Sequence, residues 1–272
     1  MNALHRMTGR ALLRWLPALA GLLILIFMFE IVQAPVIEAV GGAEGLSAIM
    51  ERIPPALRAF ARTRPEFMAM TSIAGYLSLG FTHPLYLILA TSASIGFAAR
   101  TLAGEMDRGT IQIALSRPVS RGSVYLSRVI GVAVISLLVA LAGPAGMLAG
   151  WAAVRPSGEI PVAHFMPLAV NTFALCWAAG GIALLGAAWA AQAGRVLGWG
   201  LAIFILMYFV DYFASIWAML RPFQPLSLFN WFDPGAILVT GAWPWLDIAV
   251  LLIVGFVATL GGYVVFRDRD LP

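Results

Sequence analysis

The chain has 272 residues, 61% of them hydrophobic and only 11% charged, with 17 basic against 13 acidic side chains and a net charge of +4. Its mean hydropathy of +0.90 excludes a soluble domain, in which about half the residues are apolar and about a quarter charged, and predicts an integral membrane protein with several spans. Every basic residue is Arg, so the chain cannot supply the lysine of a phosphate-binding Walker A loop or of Schiff-base chemistry.

In chain order, residues 3–15 set Leu4, Met7, Leu12 and Leu13 against Arg6, Arg10 and Arg14, the pattern of an interfacial helix. It leads into an apolar run at about 15–32. That run is span-length and no small-x-small site follows it, so it is expected to stay as a helix rather than be removed as a signal peptide. Further apolar runs lie at about 79–102, 129–154, 165–191, 197–220 and 245–266. Each is long enough to cross about 30 Å of hydrocarbon at about 1.5 Å per residue. The expected fold is therefore all-α, with six transmembrane helices in a single transmembrane domain.

Arginine placement sets the orientation. With the N-terminus in the cytoplasm, the inside collects Arg6, Arg10, Arg14, Arg100, Arg108, Arg117, Arg121, Arg128, Arg195, Arg267 and Arg269. The outer arginines, Arg52, Arg58, Arg62, Arg64, Arg155 and Arg221, are matched by Glu38, Glu44, Glu51, Glu66, Glu159 and Asp233. Both termini are then cytoplasmic, as an even number of spans requires.

The outer loop 33–78 is the longest connection. Leu46, Ile49, Met50 and Ile53, followed by Leu57 and Phe60 after Pro54-Pro55, recur at helical spacing. This predicts two short amphipathic helices on the outer leaflet or against the spans, with an ordinary soluble cap as the alternative. The outer segment 221–244 is rich in Pro and aromatic residues and poor in charge. It is expected to dip back into the bilayer as short broken helices packed on protein, with Trp231, Trp243 and Trp245 in the interfacial belt.

Few residues suggest chemistry. Cys176 sits in an apolar run, a small buried hydrophobe with no internal disulfide partner. His5, His83 and His164 lie far apart and show no metal-ligand spacing. Asp211 falls near the middle of the fifth apolar run. A carboxylate there must be neutral, paired or facing water. It is either part of a substrate or proton path or a helix–helix hydrogen-bond partner of Tyr208, Tyr212 or Asn171. Glu30 and Asp247 lie near outer span ends and are expected to reach the interface. Gly146-x-x-x-Gly150 and Gly194-x-x-x-Gly198 permit close helix packing.

Charge concentrates in the cytoplasmic segment 103–128, "AGEMDRGTIQIALSRPVSRGSVYLSR". Glu105 and Asp107 follow the second span, and Pro118 breaks the chain before Arg121. A helix over 106–116 would align Ile111 with Leu115, four apart, but not Ile113. So short a helix is marginal alone and becomes sensible in a partner's groove. Arginines anchoring a membrane face to anionic lipid are the competing explanation, and residue chemistry alone leaves the two open.

The stretch "LAGEMDRGTIQIALSRPVSRGSVYLSRVIG" resembles the ABC-2 type transporter permeases. The resemblance rests on Gly104-Glu105, Arg108-Gly109-Thr110, Leu115 and Arg117-Pro118-Val119-Ser120-Arg121. A weaker outer motif is Leu226-Ser227-Leu228-Phe229 with Trp231-Phe232-Asp233-Pro234. A common family Lys before span three is Arg128 here, and the first outer loop is long for the family. The resemblance implies an ABC-2 (type V exporter-like) permease fold. It also implies a bacterial or archaeal cytoplasmic membrane, and a second permease copy or paralogue. Each permease would bind a cytoplasmic ATP-binding subunit that holds ATP and Mg, the chain being neither catalytic itself nor a binder of cofactors or nucleic acid. Segment 103–128 would carry the coupling helix, with Glu105, Asp107, Arg108, Gly109, Thr110, Ile111, Leu115, Arg117, Pro118 and Arg121 as coupling residues and the apolar side chains as the main docking plug. The implied activity is ATP-driven export. The alternative is a mechanical component whose motion serves an extracytoplasmic partner, as in metal-centre maturation, without solute flux.

Overall fold

The computed structural model describes residues 3–42, 44–45, 48, 52, 72–116, 119–156, 159–190 and 192–269. Of the helices proposed around residues 46–60 of the outer loop, only residues 48 and 52 are described, both helical, and the rest lie outside the described residues. Helix α1 (Ala3–Ile31) runs unbroken from the basic N-terminal stretch through the first span, and α2 (Gln33–Val40) continues it with a slight offset. Helix α3 (Ile73–Thr82) is short, capped by the Ser72 hydroxyl, which accepts from the Gly75 N–H at 3.1 Å. The second span comes next as α4 (Pro84–Ala98), a π-helical turn over Ala99–Ala103, and α5 (Gly104–Asp107). After the one-and-a-half-turn α6 (Thr110–Leu115) come α7 (Arg121–Val154), α8 (Phe165–Ala190) and α9 (Ala193–Ala214). The 3₁₀ turns Ala218–Leu226 and Leu228–Trp231 and helix α10 (Pro234–Thr240) lead to the last span, α11 (Trp245–Asp268).

Among the described residues, six helices are long and apolar enough to cross a membrane. Three boundaries differ from expectation, and the third span's helix starts at Arg121 rather than near 129 because the Ser120 hydroxyl caps it there. The second span starts at Pro84, not near residue 79, because Pro84 disfavours helical backbone at His83. His83 is extended, and its ring nitrogen caps α4 by accepting from the Leu85 N–H at 3.2 Å. The fifth span ends at Ala214, not 220. Trp217 is extended, and Pro222 and Pro225 hold Ala218–Leu226 in 3₁₀ turns. Segment 221–244 does form short broken helices.

Helix α8 is central, touching α4, α7, α9 and α11, while α1 lies along α7 and α4. The Gly146-x-x-x-Gly150 pair is the α7–α1 seam. A Cβ at either glycine would overlap a backbone carbonyl oxygen of α1, that of Phe27 or of Ile31, so only glycine permits this approach. Gly194 and Gly198 have nothing within 4 Å of such a Cβ and form no seam within the chain.

Glu30 does not reach the interface. It is completely buried, and Gly80 on α3 makes room for it, since a Cβ there would stand 2.5 Å from Glu30 Oε2. Neither carboxylate oxygen has a hydrogen-bond partner among the described residues.

Candidate functional site

The segment after the second span folds into an elbow whose root is a buried ion-pair knot. The π turn leads into α5, whose Glu105 points inward and is only 7% exposed. Arg128, on the second turn of α7 and equally hidden, donates from Nη2 to Glu105 Oε2 at 2.6 Å. Its Nε donates to the Thr101 carbonyl in the π turn at 3.0 Å, and its Nη1 to Ser127 Oγ at 3.3 Å. Arg14 of α1 reaches Glu105 Oε1 at 3.5 Å from the water side. One carboxylate thereby joins spans one, two and three. A buried guanidinium is tolerable only with such saturation of its donors.

The tip of the elbow is solvent-facing. Asp107, Arg108 and Gly109 are exposed, and Gly109 turns the chain with φ 65°, a conformation that costs other residues about 1–2 kcal/mol. The Thr110 hydroxyl then donates to the Glu105 carbonyl at 3.2 Å, tying α6 back to α5. Ile111 faces the chain's own core at 1% exposure. A helix of six residues is marginal alone, and this one is held by burying Ile111. The side chain of Leu115, and Arg117 and Pro118 altogether, lie outside the described residues.

A second set of contacts locks the same end of the molecule. The Ser120 hydroxyl caps α7, accepting from the Ser123 N–H at 3.1 Å. Arg121 Nη1 donates to the carbonyls of Arg267 at 3.1 Å and Arg269 at 2.6 Å. Arg269 Nη1 donates in turn to the last carbonyls of α8, those of Ala188 at 2.7 Å and Trp189 at 2.6 Å. These bonds gather the start of α7 and the ends of α8 and α11 on the arginine-rich side that also holds the knot. Read from the sequence, Arg14 and Arg269 are general positive charge, and Arg128 stands where the resembled family commonly has Lys. The one available signal was Arg128 inside the apolar flank of "VYLSRVIG".

The polar residues proposed for a path through the membrane are distributed differently. Asp211 lies in the last turn of α9, not at mid-span, because the helix ends at Ala214. It accepts from Gln224 Nε2 at 3.1 Å, pinning the first 3₁₀ turn to α9. Tyr208 and Tyr212 stack at 6.2 Å, and Tyr208 meets Phe229 edge-on at 6.0 Å. Asn171 of α8 donates to the Trp231 carbonyl at 3.1 Å. Asp211, Tyr208 and Asn171 brace the segment between the last two spans against α8 and α9, while Tyr212 stacks within α9. Among the described residues no group of three or more His, Cys, Asp or Glu is placed to hold a metal.

Six helices long and apolar enough to span a membrane, short broken helices before the last of them and a polar elbow tied to the first three define a multi-pass membrane protein. The family model described as ABC-2 family transporter protein matches residues 14–271, and the chain belongs to that family. The family is one of transporters rather than catalysts, and membership implies association with an ATP-binding partner subunit. No curated protein matches the chain.

Proposed function

We propose that this chain is the permease subunit of an ATP-driven exporter, coupled to a separate ATP-binding subunit through segment 103–128 and working beside a second permease copy or paralogue. The observation that carries this reading is the Arg14–Glu105–Arg128 knot. A push on the exposed tip at Asp107–Gly109 passes through the knot to spans one, two and three as one body, the kind of rigid-body motion that opens and closes membrane transporters. The tip offers an acid, a base and a turn, so docking uses polar contacts around Asp107 and Arg108, with Ile111 holding the elbow's shape from inside.

The test is co-purification from native membranes, followed by site-directed cross-linking from Arg108→Cys. An ATP-binding subunit that co-elutes and cross-links at position 108 supports the coupling. Labelling of that cysteine from the extracytoplasmic side would overturn it. ATP-dependent solute flux in proteoliposomes then supports export. ATPase activity that answers to an outer protein partner, with no flux, would point to a mechanical role instead.

A further inference from the structure

A hollow of about 800 Å³ opens between α8 and α9 at their arginine-rich ends. That lies within the about 300–1,000 Å³ usual for small-molecule sites. Its walls are hydrocarbon, with Ile182 and Gly186 on α8 facing Val196, Ile203 and Phe204 on α9. From Val196 to Phe204 the wall is about 12 Å long, most of one bilayer leaflet of about 15 Å. The polar groups stand at one end: the guanidiniums of Arg195 and Arg269 border the same hollow. Arg195 has no hydrogen-bond or ion-pair partner among the described residues. Arg269 uses only Nη1 on the α8 carbonyls, leaving its other donors available. Trp189 and Trp199 flank the opening at 78% and 72% exposure, as side chains at a headgroup boundary do.

We infer that this hollow is a binding site for an anionic phospholipid of the adjacent leaflet, with its phosphate between Arg195 and Arg269 and an acyl chain along the α8–α9 wall. Charge at one end and hydrocarbon for the depth of a leaflet match an amphiphile, not a soluble anion. A second copy of the chain is the poorer occupant. A two-fold contact centred here would bring Arg195 against its own counterpart, and like charges facing each other disfavour such a contact. The lipid gives α9 what the chain does not, since only 11% of the apolar window of α9 is buried against 72% in the second span. The hollow lies at the elbow's end of the bundle, where Ala193 at the start of α9 packs against Gly104, but the inference does not depend on coupling to an ATPase.

The test uses the full chain in phosphatidylcholine nanodiscs doped with either acyl-brominated phosphatidylglycerol or acyl-brominated phosphatidylcholine. Quenching of Trp199 is read as the difference between the native chain and Trp199→Phe. At equal mole fraction the anionic lipid should quench several-fold more strongly. Arg195→Gln should reduce that preference about fivefold, the share of one arginine on an anionic membrane surface. Gly186→Leu, which fills the hollow where a Cβ meets only Val196 Cγ1 at 4.0 Å, should remove Trp199 quenching while Cys176 stays unreactive. Equal quenching by the two lipids, or a preference untouched by Arg195→Gln, overturns the site. Loss of the preference on adding soluble glycerol phosphate assigns the arginines to a free anion and overturns the lipid. No quenching by either lipid, with Trp199→Cys cross-linking between chains, gives the hollow to a second copy and overturns it as well.

Discussion

Replacing Glu105 with Ala strands Arg128, and the structure sets the size of the effect. Arg128 is 5% exposed and loses its 2.6 Å carboxylate contact, keeping only the Thr101 carbonyl and Ser127 hydroxyl. Breaking one side of a buried pair costs about 3–5 kcal/mol, because the remaining charge has no counter-ion and no water. At about 2–4 °C per kcal/mol for a chain near this length, the melting temperature should fall by about 6–20 °C. Arg14 is the internal control. Its side chain is 72% exposed and 3.5 Å from Glu105, so Arg14→Ala should cost at most about 1 kcal/mol. Removing both buried charges, as Glu105→Ala with Arg128→Met, should recover most of the loss, since the penalty belongs to the stranded ion. The assay is built into the chain: its one cysteine, Cys176, is fully buried, so a fluorogenic maleimide reports unfolding on heating. A drop under about 2 °C for Glu105→Ala, or an equal drop for Arg14→Ala, would refute the claim that the knot holds the elbow.

Other outcomes stem from the same geometry. Gly146→Leu and Gly150→Leu should each destabilise by about 3 kcal/mol or more by prising α7 from α1, whereas Gly194→Ala and Gly198→Ala should be neutral or stabilising by about 0.5–1 kcal/mol; parallel thiol-reactivity melts separate the two pairs. Gly109→Ala, forced to φ 65°, should lower stability by about 1–2 kcal/mol and, under the proposed coupling, weaken ATPase association measured by co-elution. Glu30→Gln should leave the melting temperature unchanged or raise it, because a neutral side chain of the same shape replaces a buried carboxyl whose oxygens have no described partner; a fall as large as that of Glu105→Ala would show that its charge is held.

Much of the architecture was legible without coordinates. A run of apolar residues long enough to cross hydrocarbon needs no knowledge of its neighbours, and arginine asymmetry reads out along the chain in the same way. Proline at 84 broke the run that hydropathy alone read as continuous, and Pro222 and Pro225 kept Ala218–Leu226 out of the α-helix. The elbow's position between spans two and three was likewise a matter of counting spans.

Facing is a different kind of property. A span is apolar all round, because lipid and protein interior are alike to it, so its residues do not announce which side is buried. Only the assembled bundle decides that Gly146 and Gly150 form a seam while Gly194 and Gly198 do not, that Ile111 turns inward, and that Glu30 is sealed behind Gly80. The same holds for charge. The sequence gathers arginine and glutamate in segment 103–128, but the partnership of Glu105 with Arg128 joins residues 23 apart in the chain. It exists because α5 and α7 bring them within reach at a depth where neither could remain alone.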